Sequence, residues 1–264
     1  MKIKVAELFY SVQGEGRYMG VPSIFLRTFG CNFKCAGFGM PRGQRSTEAE
    51  FVDPKQFQLY QELPLVSTGC DSYASWDPRF KDLSAMMTTD EIAQQIIRLL
   101  PYRAWRSEHL VITGGEPLLG WQRAYEELLS HERMSDLRNI TFETNGTQKL
   151  HSDFRHYLLD WTLNPRSGIG RRGPDALTFS VSAKLSASGE QWADAVKPEI
   201  VRSYEKVGTT YLKFVVEKPE DFEEVDRAPH AEQFWPETVG DWYTSGSLSR
   251  DFRTKDYDPT ALFP

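Results

Sequence analysis

The residues of this chain with the clearest chemical potential are its three cysteines, Cys31, Cys35 and Cys70. Cys31 and Cys35 lie in the segment GCNFKC, directly after a strand-like run, so a loop there can turn both thiols toward one point. Three cysteines among 264 residues do not form a disulfide framework, and their odd number leaves one unpaired. Cysteine thiolates hold iron–sulfur clusters, and three thiolates leave one iron of a [4Fe–4S] cluster open.

The cysteine spacing by itself leaves other interpretations open. A pair of cysteines separated by three residues also fits burial in a core or a weak zinc site. A zinc site needs a fourth ligand, and the histidines of the chain form no spaced pair near the cysteines. The five histidines are His109, His131, His151, His156 and His230.

The composition is that of an ordinary globular protein and argues against several classes of function. Hydrophobic residues make up 40% and charged residues 26% of the chain. A net charge of −6 argues against a protein that mainly binds nucleic acid, which requires a surplus of Lys and Arg. No apolar run reaches the roughly 20 residues of a membrane span, and the first residues lack the apolar stretch of a signal peptide. We therefore expect a cytoplasmic protein.

Strand-like and helix-like segments alternate along most of the chain. The predicted strands are 5–11, 23–29, 109–113, 140–144, 158–163, 178–182 and 211–216. The predicted helices are 89–100, 122–131, 190–204 with a break at Pro198, and 219–225. This alternation predicts an α/β fold with a parallel sheet, either open or closed into a full or partial barrel. In both, functional residues gather at the carboxyl ends of the strands.

Two segments do not fit this alternation. Residues 36–69 are polar and rich in Gly, Pro and charge, which indicates an insertion. Residues 237–264 have few periodic apolar positions and are predicted to form an irregular tail.

Several motifs resemble those of the 7-carboxy-7-deazaguanine synthases, a QueE-type family of radical S-adenosylmethionine (SAM) enzymes. The N-terminal stretch ELFYSVQGEGRYMGVPSIFLRTFGCNFKC carries the resemblance first, and CDSYASW, which begins at Cys70, continues it. Further matching segments are TGGEP, FETNGT, SAK and LKFVV, in this order. The resemblance implies a single radical SAM domain over residues 1–264, with the fold of a partial (β/α) barrel. It also implies that residues 36–69 interrupt the cluster loop and that Cys70 is a displaced third ligand of a 4Fe–4S cluster, beside Cys31 and Cys35.

The resemblance further implies which residues bind SAM. Those residues are Gly114, Gly115, Glu116, Glu143, Ser182, Lys184 and Tyr73. The Gly-Gly-Glu segment would hold the SAM ammonium group, and Tyr73 or Phe38 would pack on the adenine, because Gly69 stands where related enzymes carry an aromatic residue. Asn145 ends the same predicted strand as Glu143 and could also reach SAM or the substrate. The competing interpretations are an ordinary β–α turn for the glycines, a helix cap for Asn145 and a solvated charge for Lys184.

By the same resemblance, the substrate-binding residues are Gln13, Glu15, Gly16, Arg27, Thr113 and the C-terminal Pro264. Gln13 and Glu15 offer hydrogen-bonding groups for the nitrogen-rich edge of a pterin, and the guanidinium of Arg27 suits a carboxylate. Ser72 replaces the family's threonine and would coordinate Mg²⁺ through its hydroxyl oxygen. The alternative for Glu15 and Arg27 is a surface ion pair.

The implied reaction converts 6-carboxy-5,6,7,8-tetrahydropterin to 7-carboxy-7-deazaguanine, with loss of ammonia, in a pathway of the queuosine type. The resemblance also suggests a homodimer, and the chemistry requires an electron donor such as flavodoxin or ferredoxin. No nucleic acid or membrane partner is expected. Two rival functions remain at this point: another radical SAM enzyme, such as a glycyl-radical activase, and a non-catalytic metal-binding protein on a decayed scaffold.

Overall fold

The structure is a computed structural model that describes residues 1–163, 176–230 and 243–244. Its strands are β1 (Lys2–Val12), β2 (Pro22–Thr28), β3 (Ala85–Thr88), β4 (His109–Gly114), β5 (Asn139–Thr144), β6 (Leu177–Val181), β7 (Thr209–Phe214) and β8 (Tyr243–Thr244). Its α-helices are α1 (Thr89–Leu99), α2 (Gln122–Leu129), α3 (Ser152–Leu163), α4 (Trp192–Ala195), α5 (Pro198–Glu205) and α6 (Asp221–His230). None of these helices is long and apolar enough to cross a bilayer.

The described strands form one open sheet in the order β3-β1-β2-β4-β5-β6-β7-β8. β1 pairs antiparallel with β2 and β3, whereas β2, β4, β5, β6 and β7 run parallel to one another. Helices connect the parallel strands from β4 onward, as crossover connections require. The α/β fold and the partial barrel predicted from the sequence are thus confirmed. The carboxyl ends of five strands meet at one edge.

Local sequence explains why these elements form. All five residues of β6 are buried, which is typical of strands covered on both faces by helices. Helix α1 begins with a capping box: Thr88 Oγ1 accepts the Glu91 N–H at 3.2 Å, and the Glu91 carboxylate accepts the Thr88 N–H at 2.7 Å. The helix then buries Ile92 and Ile96, one turn apart, against the sheet.

Stacked aromatic side chains fill the core behind the parallel strands. The Phe142 ring stacks on Phe179 with centroids 5.6 Å apart and meets Phe154 edge-on at 6.0 Å. Phe179 in turn stacks on Tyr204 of α5 at 4.6 Å. These contacts tie β5, β6, α3 and α5 together, so they fix two of the strands whose ends carry the motifs described above.

One predicted strand is wrong, and one predicted break is confirmed. Residues 158–163 belong to helix α3, because Phe154, Leu158 and Trp161 are buried at helical spacing across the whole segment. The predicted helix 190–204 is split into α4 and α5, with Pro198 at the first position of α5. The predicted irregular tail, 237–264, lies outside the described residues apart from β8.

The predicted insertion is described throughout, and residues 36–69 contain neither a strand nor an α-helix. Three short 3-10 turns, Glu48–Phe51, Pro54–Gln56 and Tyr60–Glu62, are its regular structure. Phe51 and Leu65 are 85% and 90% exposed, so the outer part of the segment has little core of its own.

The aromatic core gives a stability prediction. Phe142→Ala should lower the free energy of unfolding by about 3–5 kcal/mol, because it leaves a cavity between Phe154 and Phe179. Phe51→Ala is the matched control and should change it by no more than about 0.5 kcal/mol. Denaturant unfolding followed by circular dichroism measures both, and an equal loss in the two variants would contradict this assignment of the core.

Candidate active site

A cavity of about 610 Å³ opens at the edge where the parallel strands end. This volume lies within the range of small-molecule sites, about 300–1,000 Å³. Most of the residues predicted from the sequence line it: Gln13, Glu15, Arg27, Cys31, Cys35, Cys70, Ser72, Thr113, Gly114, Gly115, Glu143, Ser182 and Lys184. The structure therefore brings the predicted cluster, SAM and substrate residues to one place.

Four of the predicted residues are not among the described residues that line the cavity. Tyr73 is 3% exposed, packs edge-on against Phe80 at 5.2 Å and donates to the Pro64 carbonyl at 2.9 Å. The prediction that Tyr73 packs on adenine is therefore wrong in this arrangement, whereas the alternative, Phe38, does line the cavity. Pro264 lies outside the described residues. The third and fourth, Gly16 and Glu116, lie beside the cavity and are considered below.

Gly16 shapes the turn that carries Gln13 and Glu15. Its φ is +71°, and a Cβ atom there would lie 2.5 Å from the Tyr211 hydroxyl. A side chain at this position would therefore meet both backbone strain and a direct clash. The prediction of a direct substrate contact for Gly16 is not supported by its place in the structure; it sets the course of the turn instead.

The three cysteines pack with Phe33 and Phe38 in one small apolar cluster. Cys35 is buried and adopts a φ of +48°, a left-handed conformation that is rare outside glycine. This turn is held by Glu190, whose Oε1 accepts the N–H groups of Lys34 at 3.0 Å and Cys35 at 2.8 Å. No motif near Glu190 indicates this role, because its partner Cys35 lies 155 residues away along the chain.

Burial raises the pKa of the Cys31 thiol to about 11, and it also raises the pKa values of Cys35 and Cys70. The Lys184 ammonium opposes this rise at all three, so one cation faces the three thiols. Thiolate ligation by a metal centre would therefore release protons from these groups.

The arrangement of the thiols also bears on the zinc alternative. Within the described ranges, no three His, Cys, Asp or Glu side chains stand close enough to share a single metal ion. An iron–sulfur cluster is larger than a single zinc ion. The three desolvated thiols lie at one end of the cavity and face one cation, and this set of donors fits such a cluster.

A second group of polar side chains lies on another part of the cavity wall. Gln13 Nε2 donates to Glu143 Oε1 at 2.9 Å, which joins the β1–β2 turn to the end of β5. The Lys213 ammonium, 9% exposed at the end of β7, forms an ion pair with Glu15. Glu143 and Glu15 both raise the pKa of Lys213 against its burial, so this lysine is a charged centre between two carboxylates.

The predicted alternative of an ion pair between Glu15 and Arg27 is wrong, because each has another partner. Arg27 Nη1 donates to Ser72 Oγ at 3.0 Å, and its Nε lies 3.4 Å from Glu7 Oε2. Lys213 was missed as a site residue. The available signal was a lysine inside the apolar segment LKFVV, since a buried lysine requires a partner.

Glu116 turns away from the cavity and ties two site loops together. Its fully buried carboxylate accepts hydrogen bonds from the Leu118 N–H at 3.0 Å, Thr144 Oγ1 at 2.7 Å and the Asn145 N–H at 2.6 Å. Its own N–H donates to the Gly30 carbonyl at 2.7 Å. The predicted contact between the Glu116 side chain and SAM is therefore wrong in this arrangement, because the loop uses this carboxylate to satisfy buried donors.

Gly114 and Gly115 are required by the close approach of the β4 loop to the cysteine loop. A Cβ atom on Gly114 would lie 2.3 Å from the Thr28 carbonyl oxygen, and one on Gly115 would lie 2.7 Å from Cys31 Cβ. Any larger residue would push the two loops apart. Both glycines therefore contribute backbone, not side chains, to the cavity.

Asn145, which follows β5, contacts both the cysteine loop, through Asn32, and the β4 loop, through Glu116. Its Nδ2 donates to Asn32 Oδ1 at 3.0 Å, and its Oδ1 accepts the Thr147 N–H at 3.1 Å. The alternative of a helix cap is wrong, because α3 begins only at Ser152. On the next strand, Lys184 Nζ donates to Ser182 Oγ at 3.1 Å and lies 5.9 Å from the Phe38 ring centroid, so it is not a solvated charge.

Glu116 gives a pH prediction. Burial raises its pKa from 4.5 to about 7, so between these values the folded chain binds a proton that the unfolded chain lacks. The free energy of unfolding should therefore fall by about 3 kcal/mol as the pH rises from about 4.5 to 7, and it should stay level above pH 7. Glu116→Gln should remove this part of the slope, and Glu132→Gln, at an 83% exposed side chain, should not. Chemical denaturation at several pH values measures the free energy of unfolding. Equal pH slopes in the two variants would contradict the assignment of this pH dependence to Glu116.

Comparison with known proteins gives consistent relatives. The chain is similar to 7-carboxy-7-deazaguanine synthases of Halobacterium salinarum (29% identity over 232 residues, 85% of this chain and 68% of that protein) and Pyrobaculum aerophilum (27% over 226 residues, 86% and 72%). A third, from Rhodopirellula baltica, is 27% identical over 223 residues, which are 84% of this chain and 65% of that protein. The chain thus spans about two thirds of the length of these relatives.

No family model matches the chain. Among solved structures, QueE from Escherichia coli aligns with a TM-score of 0.48 and 19% identity, over 92% of this chain and 82% of that one. The names of the similar proteins agree with the family that the motifs resemble. The residues of these motifs lie around one cavity. The chain is therefore similar in sequence, over most of its length, to several 7-carboxy-7-deazaguanine synthases.

Proposed function

We propose that this chain is a radical SAM enzyme that converts 6-carboxy-5,6,7,8-tetrahydropterin to 7-carboxy-7-deazaguanine, with loss of ammonia. The observation that supports this most strongly is the pairing of two different walls in one cavity. One wall carries Cys31, Cys35 and Cys70, and another carries Gln13 and Glu15, together with Arg27, Glu143 and Lys213. The names of the similar proteins point to the same reaction.

The three cysteines would hold a 4Fe–4S cluster, to which they contribute three thiolates. With SAM bound at its open iron, this group would supply one-electron cleavage of SAM to methionine and a 5′-deoxyadenosyl radical. The chain's own share is to place and shield the reactants. Gly114 and Gly115 let the β4 loop pack closely on Thr28 and Cys31, and Phe38 offers an apolar face under the Lys184 ammonium.

The polar wall suits a pterin that carries a carboxylate. The carboxylates of Glu15 and Glu143 can accept from the N–H groups of the pterin ring, and Gln13 can both donate and accept. Glu15 and Glu143 raise the pKa of Lys213, so its charged ammonium is a further hydrogen-bond donor on this wall. Arg27 has guanidinium donors left beyond its bond to Ser72, and these suit the substrate carboxylate.

Magnesium fits the site less well. Ser72 Oγ, the predicted ligand, already accepts from Arg27 Nη1 at 3.0 Å and donates to Asp71 at 3.1 Å. A guanidinium on the ligand oxygen opposes a second cation there. Mg²⁺ therefore has no part in the proposed function.

Two further elements of the proposal concern partners. The one-electron step requires an external reductant, for which flavodoxin or ferredoxin are the expected proteins, and the family resemblance suggests a homodimer. The glycyl-radical activase alternative is less well supported, because the similar proteins carry another name and the polar wall suits a small heterocycle.

The direct test supplies anaerobically reconstituted protein with the pterin, SAM and dithionite. We expect 7-carboxy-7-deazaguanine and ammonia to form in equal amounts. Loss of ammonia from this pterin is redox-neutral, so the hydrogen atom taken by the 5′-deoxyadenosyl radical is returned and SAM is regenerated. Cleavage of SAM without conversion of the pterin would contradict the substrate and favour another radical SAM reaction. An iron content near zero after reconstitution would support the non-catalytic rival.

Lys213→Met tests the polar wall separately from the cysteines. Loss of the ammonium should lower kcat/KM for the pterin by about tenfold to a hundredfold, because charged hydrogen bonds contribute about 1.5–3 kcal/mol. Iron content should stay unchanged. Lys218→Met is the matched control, at an exposed lysine five residues further along. If both variants keep wild-type kcat/KM, Lys213 has no part in substrate binding.

A further inference from the structure

The insertion that separates Cys35 from Cys70 is closed at its base. Its two ends lie together, because the Gly69 N–H donates to the Phe38 carbonyl at 2.7 Å. The Ser46 N–H donates to the Ala36 carbonyl at 2.7 Å, which brings Ser46 to the same place. The hydroxyl groups of Ser46 and Thr68 are 2.7 Å apart and bonded to each other. Two distant parts of the insertion thus meet directly beside the cysteines.

Glu48 joins these parts through the segment that precedes Cys70. Its carboxylate accepts from the N–H of Ser67 at 2.9 Å and from the Ser67 hydroxyl at 3.0 Å. It also accepts from both the N–H and the hydroxyl of Thr68, each at 2.8 Å. These donors lower the pKa of Glu48 to about 2, so the carboxylate is ionised at neutral pH. Charged acceptors make the stronger hydrogen bonds.

Gly69 shows how tightly this base is drawn together. Its φ is +81°, and a Cβ atom there would lie 3.1 Å from Ser46 Cβ. An aromatic side chain, which related enzymes carry at this position by resemblance, would be strained in this conformation and would press on the base. The glycine next to Cys70 is thus explained by the closed insertion.

We propose that Glu48 is a positioning residue that fixes Cys70 relative to Cys31 and Cys35, so that a long insertion acts as a short spacer. This inference rests on the proposed role of Cys70 as a cluster ligand. The outer part of the insertion packs against Tyr73 and Phe80. Without the contacts of Glu48, the segment directly before Cys70 would be less constrained, and the third thiol would lie at the cavity for a smaller fraction of the time.

The test begins with the metal-free protein, so that it does not depend on activity. Glu48→Ala should raise the rate at which a maleimide labels Cys70 several-fold, with Cys31 as the internal reference, measured by peptide mass spectrometry. Glu62→Ala is the matched control. Glu62 is a carboxylate of the same insertion that accepts two N–H groups, from Gln58 and Leu59, but it does not contact the base. This control should label like the wild type.

The same variants are then reconstituted with iron and sulfide. Glu48→Ala should hold fewer irons per chain and lose them faster to a chelator, while Glu62→Ala should match the wild type. If Glu48→Ala does not fold by circular dichroism, Thr68→Val replaces it, because this change removes the hydroxyl that binds Glu48 and keeps the shape of the side chain.

The outcomes separate the positioning role of Glu48 from the proposed role of Cys70 as a cluster ligand. Unchanged labelling of Cys70, or equal changes in the Glu48 and Glu62 variants, would overturn the positioning role. Faster labelling of Cys70 with unchanged iron content would also overturn it, and it would show that the cluster does not depend on Cys70, which contradicts the proposed ligand set. Faster labelling with loss of iron supports both.

Discussion

The site depends on one constraint: five parallel strands end at the same edge of an open sheet. Every loop that carries a site residue after Thr28 leaves one of these ends, so the loops must meet there whatever their sequences. The aromatic stack behind β5 and β6 keeps the strands in register. The cavity is therefore a consequence of topology, and its chemistry is a consequence of which residues follow each strand.

Carboxylates that accept backbone N–H groups hold the loops in place. Glu116 joins the β4 and β5 loops, Glu190 holds the left-handed turn at Cys35, and Glu48 closes the insertion before Cys70. The donors that bind Glu116 are buried and would otherwise lack partners. All three carboxylates lie outside the set of cavity-lining residues. The pattern indicates a site whose shape is set before any ligand binds, with side chains such as Arg27 and Lys184 left to face the cavity.

The sequence predicted the parts of this arrangement that are local. Strand periodicity placed Thr113, Glu143 and Ser182 at strand ends, and the motif around Cys70 identified it as a partner of two distant cysteines. Long-range contacts were out of reach: nothing near Glu116 indicates that it turns inward, and nothing near Lys213 names Glu15 as its partner. The wrong strand at 158–163 has a local origin instead, because a short apolar run fits both the helix and the strand period until the preceding turn, with Phe154, is included.

The central claim is that three cysteines, two before an insertion and one after it, hold one cluster. Replacing each in turn by alanine and measuring iron content and SAM cleavage after anaerobic reconstitution tests it most directly. The account predicts about four irons per chain in the wild type and a severe loss of both properties in Cys31→Ala, Cys35→Ala and Cys70→Ala alike. Full retention of iron and of SAM cleavage in Cys70→Ala would contradict it.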